Sequence, residues 1–133
     1  MSKNKMLQTI KCFKCNKEFI FGGTDIVRQC FIDKDNQEIF VLSVKCTHCG
    51  HIHYVQVDNF KTEDIKNKLS KLMVQMSKSK LDYLPVKKQQ LSKFNKTNRK
   101  LADLRMELMK YYHNSKVTNT LTGEEVELMF TFV

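Results

Sequence analysis

Two Cys-x-x-Cys pairs, Cys12–Cys15 and Cys46–Cys49, constrain this chain more than any other feature. Four thiolates in two such pairs match the closed tetrahedral shell that one structural zinc ion prefers. Asn16 follows the first pair and Gly50 the second. Both residue types tolerate the left-handed backbone that a metal-binding turn needs after its second ligand. A redox-active pair would instead open a helix within a βαβ unit, whereas strand-forming residues flank both pairs here. Two disulfides would call for an oxidising compartment. The chain opens Met-Ser-Lys-Asn-Lys-Met with no apolar signal segment, so a reducing cytoplasm is the expectation.

Cys30 sits in the strand-like run Val27-Arg28-Gln29-Cys30-Phe31-Ile32 and reads as a small buried residue, not a fifth ligand. His48, His51 and His53 crowd the second pair, and with four cysteines in register they read as outer or surface groups. Short strands are expected at Glu18–Phe21, Ile26–Ile32, Glu38–Lys45 and His53–Val57, with a turn at Asp33–Gln37. Ile39, Val41 and Ser43 fall on one face of the third of these.

This order of knuckle, strand, hairpin, knuckle and strand resembles the zinc ribbon family, and residues 10–58 carry the resemblance. The chain is also similar to small bacterial and phage ribbon proteins of unassigned role. The resemblance implies a fold and a metal but no activity, because ribbons serve in transcription factors, polymerase subunits, ribosomal proteins and plain scaffolds. A sheet of about fifty residues buries too little apolar surface to fold unaided. Metal removal is therefore expected to unfold residues 10–58 and to leave helix downstream.

After Asn59 the pattern becomes helical. Thr62-Glu63-Asp64 offers a capping residue and two acids at a helix start. Ile65, Leu69, Leu72 and Met76 form one apolar stripe that ends at Ser77–Lys80. Pro85 suits the first turn of a second helix reaching about His113. Its stripe runs Leu91, Phe94, Asn98, Leu101, Arg105, Leu108 and Tyr112, with Leu104 and Tyr111 widening it. The polar Asn98 and Arg105 either set register in a partnered seam or mark where it meets solvent. The longer helix, residues 86–113, also offers a seam for a homodimer. Lys116–Leu121 and Glu125–Val133 flank Thr122-Gly123-Glu124 as a hairpin whose Leu128, Phe130 and Phe132 need cover. No apolar run approaches bilayer-spanning length.

The expected fold is thus α+β. An N-terminal antiparallel ribbon (1–60) precedes a two-helix hairpin arm (61–116) and a C-terminal β-hairpin (117–133). Their net charges are +2, +10 and −3. A polyanion would meet the arm, where Lys93, Lys96 and Lys100 share a face beside Arg99. Lys14 and Lys45 stand beside the knuckles and extend the candidate nucleic-acid surface. Against this, Lys outnumbers Arg 20 to 3, a bias that an AT-rich genome produces by itself. Lys is also the poorer reader of bases.

Catalysis finds no support. A four-cysteine site leaves no open metal position, and phosphate-cradling glycine loops, nucleophile elbows and His-Glu-x-x-His are absent from the sequence. Two non-enzymatic classes follow. One binds nucleic acid or a protein of the transcription machinery. The other is an adaptor or inhibitor of a host protein, with the ribbon as scaffold and the helical arm or C-terminal strand as contact. A phage-encoded regulator fits either class, and would act in the host cytoplasm.

Overall fold

β-branched and aromatic residues recur up to Asp58, helix formers from Phe60 to Tyr112, and strand formers again after Ser115. The computed structural model, which describes residues 7–81 and 88–131, follows that division as an α+β chain. Its strands before the helices are β1 (Gln8–Lys11), β2 (Glu18–Phe21), β3 (Val27–Ile32), β4 (Glu38–Lys45) and β5 (Ile52–Asp58). Then come α1 (Phe60–Leu81), α2 (Lys88–Tyr112), β6 (Ser115–Asn119) and β7 (Glu125–Leu128). The order is therefore strands, two helices, then two short strands.

Strand β1 was not expected from sequence. It pairs antiparallel with β2, Ile10 opposite Phe19, in a sheet of its own. The other five strands form one antiparallel sheet in the order β5-β4-β3-β6-β7. The β3–β4 turn is closed by Asp33, whose Oδ1 accepts the N–H groups of Asp35 at 2.8 Å and Gln37 at 2.9 Å. Asn36 takes the left-handed position there, at φ 62°. Strand β4 serves two cores at once. It gives Ile39 and Val41 to the larger one and Val44 to a smaller one that includes Cys12 and Cys46. An irregularity between Leu42 and Ser43 shifts its register with β5.

Helix α1 begins three residues earlier than the Thr62 signal suggests. Asn59 is the cap: its Oδ1 accepts the Thr62 N–H at 3.0 Å, and Thr62 Oγ1 accepts the Asn59 N–H at 2.9 Å. The helix also runs past the Ser77–Lys80 stop to Leu81. Pro85 lies outside the described residues. Ile65 and Leu69 pack on Leu101, with Phe94 and Leu104 beside them. Asn98 is exposed, so it marks solvent and not a seam within the chain. Arg105 does the opposite. Its Nε donates to Asp58 Oδ1 at 2.7 Å and a second guanidinium nitrogen to Oδ2 at 3.3 Å. Asp58 is 4% exposed, so this two-pronged pair fastens α2 to the end of β5.

The C-terminal segment completes the sheet. Phe31 pairs with Asn119 and Ile32 with Thr118, which joins β6 to β3. The expected strand from Glu125 to Val133 stops at Leu128. Phe130 then bridges Tyr54 in parallel, and the Thr131 N–H donates to the Tyr54 carbonyl at 2.8 Å. The chain beyond one end strand thus ties back to the other, which covers exposed strand edges. Leu128 and Phe130 are buried with Phe31, Ile39, Val41, Val57, Met109, Tyr112 and Val117. Phe132 lies outside the described residues. No helix among the described residues is long and apolar enough to cross a membrane.

Two stability predictions arise here. Replacing Arg105 with Ala strands a buried carboxylate and should cost roughly 3 kcal/mol in urea unfolding. Arg28→Ala, which breaks a 2.8 Å pair with Glu63 on the surface, should cost under about 1 kcal/mol. The second concerns acid. The Tyr112 hydroxyl donates to Asp33 Oδ2 at 2.6 Å. Burial raises the Asp33 pKa, but this hydroxyl and the Gln37 and Asp35 N–H groups outweigh it and hold the carboxyl below 3.8. A depressed carboxyl stabilises the fold above its unfolded pKa and loses that contribution as pH falls through the folded value. Tyr112→Phe should cost about 1 kcal/mol at neutral pH, the pair being partly exposed. The stability curves of the two proteins should converge as the acid limb is crossed.

Candidate metal centre

The same backbone turn is built twice. In the first, the Cys12 N–H donates to the Lys17 carbonyl at 2.9 Å and the Asn16 N–H to the Cys12 carbonyl at 2.7 Å. In the second, the Cys46 N–H donates to the His51 carbonyl at 2.8 Å and the Gly50 N–H to the Cys46 carbonyl at 2.9 Å. Asn16 at φ 61° and Gly50 at φ 80° occupy the left-handed position in each, as their types foretold. One turn closes the β1–β2 hairpin and the other joins β4 to β5. The His48 ring nitrogen Nε2 meets the Glu18 carbonyl at 2.9 Å and links the second turn to β2.

These turns aim four sulfurs at one point. Cys12 Sγ lies 3.6 Å from Cys49 Sγ, and Cys15 Sγ lies 3.8 Å from Cys46 Sγ. All four lie within 4.8 Å of one another. A zinc ion with Zn–S bonds of about 2.3 Å sets tetrahedral sulfurs about 3.8 Å apart, so the residues fit such an ion. Cys12 and Cys46 are buried, Cys15 is half-buried and Cys49 is exposed.

Thiol chemistry agrees. Burial opposes ionisation of Cys46, but the Cys49 and His48 N–H groups outweigh it and lower its pKa to about 6. For Cys49 the His51 N–H favours the thiolate. Desolvation and the sulfurs of Cys12, Cys46 and Cys15 overcome it and push the thiol up to about 11. One thiol is thus ready to ionise, while Cys49 resists a further negative charge. A cation at the centre removes that conflict.

The remaining sulfur and imidazoles sit apart from this cluster. Cys30 is half-buried and its Sγ donates to Glu38 Oε1 at 3.2 Å. Burial first, and that carboxylate second, raise its pKa. His53 is fully buried, with Nδ1 3.0 Å from Thr131 Oγ1, and burial lowers its pKa. Phe13 stands edge-on to His51 at 4.9 Å and to His53 at 5.1 Å, forming an aromatic wall beside the first turn.

Lys14 lies within the first turn and Lys45 just before the second, both exposed. Lys93, Lys96, Arg99 and Lys100 are exposed on α2. Lys93 and Lys96 line one open hollow with Lys88, while Arg99 and Lys100 do not join it. Tyr111, which its spacing places on the flank of the apolar stripe, is 61% exposed. Its position one residue before Tyr112, on the flank of the stripe, was the available signal. No protein-family model, curated protein or solved structure matches the chain.

Metal removal should first melt β1, β2 and the two turns, whose buried core among the described residues is Ile10, Phe19, Phe21, Val44, Cys12 and Cys46, with Cys15, Ile26 and Val55 packed against it. β3 and β4 should keep amide protection through their pairing with β6 and the Phe31 core. Hydrogen exchange with and without chelator reads this directly. Cys46→Ser should lose the metal and show the same pattern, whereas Cys30→Ser should retain it.

Proposed function

We propose that this is a non-enzymatic zinc-ribbon protein whose metal is structural and whose basic helices bind nucleic acid. The convergence of four sulfurs through two copies of one turn carries the metal reading. Four thiolates would hold one zinc ion in a closed shell. That shell supplies folding energy and leaves no position for a substrate. A reducing cytoplasm would keep these thiols available to it.

Charge supports the partner. Residues 61–116 carry a net +10. The side chains of Lys93, Lys96, Arg99 and Lys100 are exposed and take part in no salt bridge among the described residues. Lys at three- and four-residue spacing presents point charges along one helix face, which suits phosphates better than base edges. Lys14 and Lys45 add charge at the metal end. Sequence-tolerant backbone binding is the mode this favours.

A second reading, a protein-binding adaptor, draws on α1. Met73 and Val74 are 56% and 67% exposed and line a mostly apolar hollow with Ser70 and Ser77. A homodimer through residues 86–113 would use Leu91, 46% exposed. Salt separates these readings, because phosphate binding weakens steeply as salt rises and apolar contact does not.

The test is titration of zinc-loaded protein against labelled duplex DNA and single-stranded RNA at low and physiological salt. Replacing Lys93, Lys96, Arg99 and Lys100 together with Glu should weaken binding at least about tenfold and reduce the salt slope by roughly 3. Unchanged affinity in that variant would remove α2 from the interface.

A further inference from the structure

We propose that Tyr111, at the end of α2, is a stacking platform for an unpaired base in a single-stranded nucleic acid. This rests on the nucleic-acid reading above but concerns a different surface. Tyr111 is the ridge between two hollows and lines both. One, of about 360 Å³, is bounded by Lys34, Ser115 and Lys116 with Asp33 and Tyr112. The other, of about 320 Å³, is bounded by Lys61, Thr62 and Glu107 among others. Hollows of this size lie at the small end of ligand clefts.

The ring is both offered and braced. It is 61% exposed. Behind it, Tyr112 stands edge-to-face at 4.9 Å and 86°. Tyr112 is only 5% exposed, and its hydroxyl is held by Asp33 at 2.6 Å. An exposed aromatic ring braced by a buried neighbour loses little entropy when a base stacks on it. A surface tyrosine without such a backing would have to be ordered first.

Charge around the ring suits a strand passing over it. Lys34 and Lys116 lie on one side and Lys61 on the other, all three exposed and in no salt bridge among the described residues. Lys110 precedes Tyr111 and is exposed too. Of the two acids lining the hollows, Asp33 is already engaged by the Tyr112 hydroxyl and by the Asp35 and Gln37 N–H groups. It remains a carboxylate there, so Asp33 and Glu107 are two counter-charges set against Lys34, Lys116, Lys61 and Lys110. Phosphates on either side of a stacked base would meet lysines on either side of the ring. Stacking needs a base face, which a duplex hides, so the preference is for single strands with little base selectivity.

Lys93 and Tyr111 are 18 residues apart on one helix, about 27 Å along its axis. The two surfaces can therefore be separated by mutation. The experiment uses full-length zinc-loaded protein with a fluorescently labelled oligothymidylate and a duplex of equal length at physiological salt. Tyr111→Ala should weaken single-strand binding roughly 5- to 100-fold and leave duplex binding unchanged. Tyr111→Phe keeps the ring and should bind within about twofold of the wild type. Lys34→Gln with Lys116→Gln should weaken binding to both oligonucleotides and lower the salt slope.

Wild-type single-strand affinity in Tyr111→Ala would overturn the proposal. Equal losses for Ala and Phe would overturn it too, since a hydroxyl contact and not stacking would then be at work. If only the α2 charge reversal abolishes binding, this inference falls and the nucleic-acid reading stands. If the wild type binds neither oligonucleotide, both fall.

Discussion

Four sulfurs held within 4.8 Å of one another set the terms for the rest of this protein. Sulfurs so close cannot all carry charge without a cation among them, and the opposed shifts of Cys46 and Cys49 express that conflict. The turns that hold them repeat one hydrogen-bond pattern with a left-handed residue in the same place. β1 and β2 enclose only a handful of apolar side chains. Their position therefore depends on the four-cysteine cluster that joins them.

From that end the fold is built outward through β4. The strand places Ile39 and Val41 in the large core and Val44 in the small one, and Cys46 follows its end. β6 adds to β3, and the residues after β7 return to Tyr54 on β5, so segments far apart in sequence share one core. Arg105 and Asp58 then fix where α2 leaves that body. Tyr112 does the same at the β3–β4 turn. Helix α2 is thereby anchored toward its Tyr112 end.

Much of this was legible in the residues. Spacing and the Asn16 and Gly50 types specify the turns locally, so both could be read without knowing the partners. Alternation in β4 and the Ile65–Leu69–Leu72 stripe were equally plain. β1 was not, because Gln8-Thr9-Ile10-Lys11 holds one apolar residue and becomes a strand only through β2. Asn59 and Thr62 cap each other, and the sequence favours neither as the boundary. Arg105 looked like a flaw in an apolar seam because Asp58 lies 47 positions away. The C-terminal alternation suggested one continuous strand, but Phe130 leaves β7 for a bridge to Tyr54. The exposed face of Tyr111 depended on how α2 rotates over the sheet, which its stripe leaves open by one position.

The metal, the charge and the aromatic ridge fit one division of labour. In the proposed reading a closed thiolate site would stabilise a small sheet, leaving exposed lysines and Tyr111 for a partner. Everything in that account begins with what the four cysteines hold. X-ray absorption at the zinc edge, on protein purified without added chelator, tests this most directly. The account predicts a single shell of four sulfurs at about 2.3 Å. A shell containing nitrogen or oxygen, or protein that carries no zinc and two disulfides, would contradict it.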